Sequence, residues 1–217
     1  TQTRQLSDVR IVRSFRHQVL GPALAYHGQV RVAEQVIGYR RLQQFSDAVL
    51  GDEPLDMPAH DFETAALWFD LPAEWRQDLA AQDLDFAGGL HAVEHAMIGM
   101  LPLFAMCDRS DIGGLSTPMH PDTEQPQIFI YDGFPGGVGI SEKGFDLLVT
   151  LWSETLRLIE ECPCEAGCPS CVQSPKCGNN NEPLDKLAAR EILRRLLAGA
   201  GGRARGTREA TGATGRK

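Results

Sequence analysis

The chain has 217 residues, of which 42% are hydrophobic, and its formal net charge is −8. This length and composition suffice for one sizeable core, which excludes a disordered chain, and no apolar run approaches the roughly 18 residues of a membrane span. The negative charge disfavours non-specific attraction to nucleic-acid phosphates.

The first part of the chain is predicted to be rich in β-structure. Residues 9–12 and the alternating apolar and polar residues over 28–40 indicate strands of a small N-terminal sheet. Residues 55–58 are typical of a loop. Residues 61–69 indicate another half-buried strand or a short helix that ends before Pro72. We take 1–72 as the β-rich part of a domain that extends over 1–198.

The second part, residues 73–198, is predicted to mix helices with a buried strand. The apolar segment 90–106 predicts two helical stretches, and 128–131 predicts a buried strand that leads into a glycine loop. Apolar residues at three- and four-residue steps predict a core-facing helix over 145–159, and a last amphipathic helix is predicted over 184–197. The expected fold class is α/β of the mixed α+β kind: a small N-terminal sheet, a helical core with a buried strand, and a C-terminal four-cysteine zinc knuckle followed by a helix.

The two ends of the chain carry further expectations. Residues 199–217 consist mainly of Gly, Ala, Thr and Arg without periodicity, which indicates a disordered basic tail. The net charge of this tail is +4, which leaves −12 on residues 1–198. The first residues lack the features of a signal peptide and include no initiator Met. We therefore expect a fragment of a longer polypeptide of the bacterial cytoplasm or nucleoid.

The strongest chemical signal is a run of cysteines, because five of the six lie within sixteen residues. Thiolates two to five residues apart converge on one tetrahedral zinc ion at little entropic cost of loop closure. A disulfide framework would need an oxidising compartment, which the other features disfavour. The run therefore predicts a zinc site between residues 162 and 177. We expect its role to be structural rather than catalytic.

A structural zinc site takes four ligands, so one of the five cysteines is expected to be spare. Cys168 and Cys171 have the two-residue spacing of a zinc knuckle. Cys177 precedes a glycine that permits a tight turn. Cys162 and Cys164 share one face of an extended segment, so either is within reach. The selected ligands are Cys164, Cys168, Cys171 and Cys177, with Cys162 as the cysteine expected to be unused.

A second candidate metal site lies in the apolar segment. His91, Glu94 and His95 match the His-x-x-Glu-His pattern of inverted zinc metallopeptidases, in which helical spacing places both imidazoles on one face. A buried pair of histidines bonded to Glu94 and a backbone carbonyl would satisfy the same side chains without a metal. The nominal candidates for a third metal ligand are Asp108, Asp111 and His120.

Residues 132–139, with the sequence Asp-Gly-Phe-Pro-Gly-Gly-Val-Gly, lie between the predicted buried strand and the helix that follows it. Such a loop can present backbone amides to an anion at the helix N-terminus. Its spacing fits neither a Walker loop nor a dinucleotide fingerprint. A tight turn or close packing also explains the glycines, so both interpretations stay open.

Several motifs together resemble one protein family. The cysteine run, continued through Asn181-Glu-Pro-Leu-Asp-Lys186, resembles the C-terminal metal-binding (MZB-type) domain of MrfA-like superfamily two DNA-repair helicases. The resemblance covers nearly all of residues 9–197. The other matching pieces are residues 28–32, 36–40, 55–58, 64–68, 91–95 and 131–139.

The resemblance implies an accessory domain of an ATP-dependent helicase that unwinds DNA in the 3′ to 5′ direction during repair. In the family the cysteines bind zinc, while ATP and Mg²⁺ belong to motor domains upstream. This chain has no Gly-Lys-Thr phosphate loop and no Asp-Glu-x-His box, so we expect it neither to hydrolyse ATP nor to unwind DNA alone. Its expected partners are the motor domains of the same polypeptide and, through them, DNA. We expect a monomer without membrane contact.

Two other functions stay open beside this structural module. One is a zinc-dependent hydrolase that uses His91, Glu94 and His95. The other is an autonomous single-stranded nucleic-acid-binding module, for which Lys176, Lys186 and the basic tail are the candidate contacts. The acidic body favours docking on a motor over autonomous DNA binding.

Overall fold

The structure, a computed structural model, describes residues 1–46 and 48–201. The described residues contain one six-stranded antiparallel sheet with the order β1-β2-β4-β6-β5, in which β3 also pairs with β2. The strands are β1 (Gln2–Leu20), β2 (Ala23–Leu42), β3 (Val49–Pro54), β4 (His60–Asp70), β5 (Ile112–Thr117) and β6 (Gln127–Asp132). The helices are α1 (Trp75–Ala80), α2 (Phe86–Met100), α3 (Pro102–Ala105), α4 (Ile140–Asp146), α5 (Leu148–Glu161) and α6 (Lys186–Gly201).

Strands β1 and β2 form a long hairpin, and β3 and β4 both pair with its second strand. The turn uses Gly21, whose φ of +63° is readily adopted only by glycine. Irregularities in the pairing of β1 with β2 occur at three points, between Arg4 and Gln5 and twice between Ile11 and Arg16. The predicted strands at 9–12 and 28–40 are therefore parts of much longer strands.

Strand β4 lies between β2 and β6, and its residues 66–69 are buried on both faces of the sheet. Leu67 and Phe69 join the main core beneath the helices, and Phe69 meets Trp152 of α5 edge to face at 5.2 Å between ring centroids. Trp68 faces the other side of the sheet, where it stacks on Phe129 of β6. Burial of residues 66–69 on both faces explains why this end of the strand lacks an alternation of apolar and polar residues.

The mixed α+β class predicted from the sequence is confirmed. The sheet is larger than expected, because strands β5 and β6 join the N-terminal strands and so place both sides of residue 72 in one sheet. The predicted helix over 145–159 is divided into α4 and α5 at Leu147, whose φ of −108° and ψ of 15° are not helical. None of the helices in the described ranges is long and apolar enough to cross a membrane.

The last helix differs from its predicted bounds at both ends. Helix α6 begins at Lys186 and continues through Gly201, so residues 199–201 are helical and do not belong to a disordered tail. Gly199 packs closely against Pro22 at the turn between β1 and β2, which gives the end of the helix a partner. The remaining residues of the predicted tail, 202–217, lie outside the described part of the chain.

Candidate metal centre

Four thiol groups converge between the end of α5 and the start of α6. The Sγ–Sγ distances are 3.6 Å between Cys162 and Cys164, 3.5 Å between Cys162 and Cys168, 3.4 Å between Cys164 and Cys171, and 3.8 Å between Cys168 and Cys171. All four sulfurs lie within 4.8 Å of one another. We call these four residues the cysteine quartet.

The quartet fits a tetrahedral zinc ion. A Zn–S bond of about 2.3 Å places the sulfurs of a tetrahedral site about 3.8 Å apart, close to the separations in the quartet. Thiols are only weak hydrogen-bond donors and acceptors, whereas one zinc ion binds four thiolates strongly at once. The donor set is also closed, which is the arrangement of a structural rather than a catalytic zinc site.

The backbone places the quartet at the corner between two helices. Cys162 ends α5, and its N–H donates a 3.2 Å hydrogen bond to the carbonyl of Leu158. The turn from Cys168 to Cys171 is closed by a 3.0 Å bond from the Cys171 N–H to the Cys168 carbonyl. The Cys168 N–H points at the Cys171 sulfur at 3.4 Å, as the knuckle spacing predicts. Gly167 enters this turn with a φ of +113°.

Lys186 supports the quartet from the first turn of α6. Its buried Nζ donates to the carbonyls of Cys162 and Cys164 at 2.7 and 2.5 Å and approaches the Cys164 sulfur at 3.3 Å. Burial opposes ionisation of the Cys164 thiol, but hydrogen bonds from Cys171, Cys162 and Lys186 lower its pKa to about 6. The expectation that Lys186 contacts nucleic acid is therefore corrected, because its side chain is buried and its ammonium group is bonded to the carbonyls of Cys162 and Cys164.

The selection of ligands from the cysteine run is also corrected by the geometry. Cys162, expected to be spare, is in the quartet, whereas Cys177 lies outside it, beside His91 and His95. After Cys171 the chain turns toward α2, and the N–H of Gln5 in β1 bonds the carbonyl of Gly178 at 3.2 Å. That connection carries Cys177 away from the quartet.

A second group of potential metal ligands consists of His91, His95 and Cys177, which we call the His-Cys trio. The two histidines are one turn apart on α2, and their ring centroids are 4.2 Å apart. His91 Nε2 lies 3.4 Å from Cys177 Sγ. One ligand atom from each residue lies within 4.8 Å of the others. The two imidazoles therefore lie on one face of α2, as the sequence predicts, and Cys177 is a third member that the sequence did not predict.

Burial controls the charge of the groups around the trio. It lowers the pKa of His95 to about 4, with a smaller contribution from the neighbouring His91, and it also lowers the pKa of His91. Burial raises the pKa of Glu94 to about 7, although Ser116 donates a 2.7 Å hydrogen bond to its carboxylate. Glu94 therefore faces Ser116 of β5 and is not hydrogen-bonded to the histidines as the metal-free interpretation expected.

The nominal third ligands from the sequence lie elsewhere. Asp108 and Asp111 cap a short 3₁₀ turn, in which each carboxylate accepts a backbone N–H of the same turn. His120 is buried and bonds the carbonyl of Val9 through Nε2 at 2.8 Å. Lys176 is exposed, and its Nζ is 3.3 to 3.5 Å from three backbone carbonyls of residues 109, 110 and 112.

The glycine loop before α4 is filled by a side chain of the protein itself. The buried carboxylate of Asp132 accepts four backbone N–H groups at 2.6 to 3.2 Å. A Cβ on Gly137 would lie 2.6 Å from the Cβ of Ala65 in β4, so this glycine permits close packing. The amides that an external anion would need are thus occupied by Asp132. The bonded amides belong to Val138, Gly139, Ile140 and Ser141.

Comparisons with known proteins agree with this architecture. The family model of the MrfA Zn-binding domain matches residues 93–172, a segment that ends one residue after Cys171 and contains the whole quartet. Over 112 residues the chain is 39% identical to protein MJ1572.1 of Methanocaldococcus jannaschii, a match that covers 50% of this chain and 100% of that protein. The chain belongs to the MrfA Zn-binding domain family. His91 and Cys177 lie outside the matched segment.

Larger relatives of this zinc-binding domain family are helicases. The chain is 28% identical over 172 residues to the ATP-dependent helicase YprA of Bacillus subtilis, which covers 79% of this chain and 22% of the relative. A crystal structure of the DUF1998 helicase MrfA bound to DNA shares the fold with a TM-score of 0.62 at 21% identity, over 89% of this chain and 25% of that one. The chain thus spans about a quarter or less of the helicases that it matches.

Proposed function

We propose that the chain is a structural zinc-binding accessory domain of an ATP-dependent DNA helicase that unwinds DNA in the 3′ to 5′ direction during repair. The observation that carries the proposal is the closed cysteine quartet in a domain whose larger relatives are helicases. ATP and Mg²⁺ would bind to the motor domains of the same polypeptide. In this proposal the parent protein acts as a monomer in the bacterial cytoplasm or nucleoid.

In this proposal Cys162, Cys164, Cys168 and Cys171 hold the zinc. The ion would cross-link the end of α5 to the loop that follows it, and Lys186 at the start of α6 bonds the carbonyls of Cys162 and Cys164. Such a cross-link contributes directly to folding, since the ligands would otherwise be separated in the unfolded chain. It has no open position for water or substrate, which supports a structural role.

The charge of the domain supports docking on the motor rather than autonomous DNA binding. Residues 1–198 carry −12, and a body of that charge repels phosphates at long range. DNA would reach the domain only after the motor has bound it. Lys176 is the candidate contact that is exposed, and it borders the surface near β5.

Zinc content and DNA affinity test this function together. The isolated chain and its Cys168→Ser variant are assayed for zinc by mass spectrometry and for binding of labelled single-stranded DNA at moderate salt. We expect the variant to lose the quartet zinc and to unfold locally, and the wild-type chain to bind DNA no more tightly than the micromolar range typical of non-specific contacts. A zinc content equal to that of the wild type, with an unchanged melting temperature, would reject the structural role. Nanomolar affinity reduced by Lys176→Glu would instead favour an autonomous DNA-binding module.

A further inference from the structure

The His-Cys trio has the hydrogen-bond pattern of metal-binding imidazoles. His91 Nδ1 bonds the carbonyl of Pro183 at 2.8 Å, and His95 Nδ1 bonds the carbonyl of Val172 at 2.9 Å. A carbonyl oxygen only accepts hydrogen bonds, so each Nδ1 carries the proton and each neutral ring has a bare Nε2 lone pair. A backbone carbonyl that fixes the tautomer in this way is the usual partner of a metal-bound histidine.

The thiol of Cys177 cannot satisfy both imidazoles. It has one proton, which can be donated to His91 Nε2 at 3.4 Å or to His95, but not to both. The Asn181 N–H donates to the Cys177 sulfur at 3.2 Å. Burial raises the pKa of the Cys177 thiol, and the backbone donor aimed at its sulfur acts in the opposite direction, as the Cys168 N–H does for Cys171 in the quartet.

The loop that presents Cys177 is shaped around this sulfur. Asn180 and Asn181 both have left-handed backbone angles, with φ of 56° and 62°, a conformation that asparagine tolerates better than most residues. The turn brings the Asn181 amide back onto the sulfur, and the Asn181 side chain accepts the N–H of Ser174 at 2.7 Å. Two strained residues are thus held in a turn whose centre is the Cys177 thiol.

We propose that His91, His95 and Cys177 bind a second zinc ion, separate from that of the quartet. Among the abundant divalent ions, zinc is the one best suited to a ligand set of two imidazole nitrogens and one thiolate. Zn–N and Zn–S bonds of about 2.1 and 2.3 Å place N and S about 3.6 Å apart in a tetrahedral site. The observed 3.4 Å between His91 Nε2 and Cys177 Sγ is close to that value.

The second site differs from the quartet because its fourth position is open. All three residues of the trio line a cavity of about 410 Å³. Glu94, Ser116 and Tyr131 line the same cavity, so it offers polar partners to a solvent molecule on the ion. A water molecule completes the coordination, as in zinc sites that have three protein ligands.

Metal counting on the full chain tests the second site. Protein purified with reductant and zinc is analysed by elemental mass spectrometry beside Cys177→Ser, His91→Gln and the control Cys107→Ala, since Cys107 is a free cysteine outside both groups. We expect close to two ions per chain in the wild type and the control, and close to one in the two variants. Circular dichroism confirms that the compared proteins are folded. One ion in the wild type, unchanged by Cys177→Ser, would overturn the proposal and leave the quartet intact.

Cobalt provides a second measurement that distinguishes the two sites. The apo chain is titrated with Co²⁺, and the absorption of thiolate-bound cobalt is followed in wild type and in Cys177→Ser. The wild type should show a second binding step with one thiolate, which the variant lacks while retaining the step of the quartet. Added azide should shift the ligand-field bands of the second step alone, because only that site has an exchangeable position. A single step, insensitive to both changes, contradicts the second site even if the variants of the first experiment fail to fold.

Discussion

The Nδ1 atom of His95 donates a 2.9 Å hydrogen bond to the backbone carbonyl of Val172, the residue that directly follows Cys171. This bond joins the middle of α2 to the loop of the quartet. The N–H of Val172 in turn donates to the Cys168 carbonyl at 3.2 Å. Val172 is therefore bonded both to Cys168 of the quartet and to His95 of the trio. A change at the cysteines should consequently perturb α2.

Loss of one quartet cysteine should destabilise more than the loop. We expect Cys171→Ser to lower the free energy of unfolding by on the order of 4 kcal/mol, because loss of a structural metal is among the largest single-residue effects. For a chain of this size the melting temperature would fall by roughly 10 °C. Hydrogen exchange should also increase in α2 around His95. Cys107→Ala is the matched control, and an equal fall in both variants would exclude a specific role of the quartet.

Lys186 should determine the metal affinity of the quartet. In Lys186→Met the carbonyls of Cys162 and Cys164 lose their buried donor, and the positive charge beside the thiolates disappears. Removal of such an outer partner typically weakens metal binding by about 10- to 100-fold, measurable by competition with a chromophoric chelator. Lys143→Met, at an exposed lysine of α4, should leave the affinity unchanged. If both variants hold zinc as tightly as the wild type, Lys186 has no role at the metal.

The sequence predicts that a zinc centre is present, but it does not predict correctly which four cysteines form it. The density of cysteines is a local property, so it identifies the loop from residue 162 to 177 directly. The choice between Cys162 and Cys177 depends on contacts distant in sequence, namely the bonds from His95 to Val172 and from Gln5 to Gly178. Those contacts direct Cys177 toward α2, and spacing alone does not contain them.

The remaining differences in fold have similar physical causes. Strand β5, with the sequence Ile-Gly-Gly-Leu-Ser-Thr, has few β-branched residues and was not predicted, since its position depends on pairing with β6. A Cβ on Gly113 would collide with the ring of Tyr131 across that pair, which explains why a glycine stands in the strand. The pairing of β4 with β6 likewise joins segments about 60 residues apart. Local periodicity predicts such strands only as separate elements.

The carboxylate of Asp132 should be among the most important polar groups for stability. In Asp132→Asn the charge is lost and one of its two oxygens becomes an NH₂ group that faces backbone N–H donors, so buried amides lose their acceptor. We expect a loss of on the order of 3 kcal/mol in the free energy of unfolding, measured with urea. Asp146→Asn removes a carboxylate from an exposed ion pair with Arg16 and should change stability by less than about 1 kcal/mol. A loss of stability in Asp132→Asn as small as that in Asp146→Asn would show that the four amides find other acceptors.

Two glycines of the same helix should respond oppositely to alanine. In Gly89→Ala the new Cβ would lie 2.7 Å from the Cβ of Ala188 and 3.1 Å from its backbone carbon, so α2 and α6 must separate. Overpacking of this kind costs about 1–3 kcal/mol, more than the roughly 1 kcal/mol gained in helix propensity. In Gly99→Ala the new Cβ meets only the guanidinium end of Arg109, which can rotate away, so the propensity gain should prevail. Urea unfolding of both variants should therefore give a loss of stability at position 89 and no loss, or a gain, at position 99; the reverse order would mean that α2 and α6 are not packed as described.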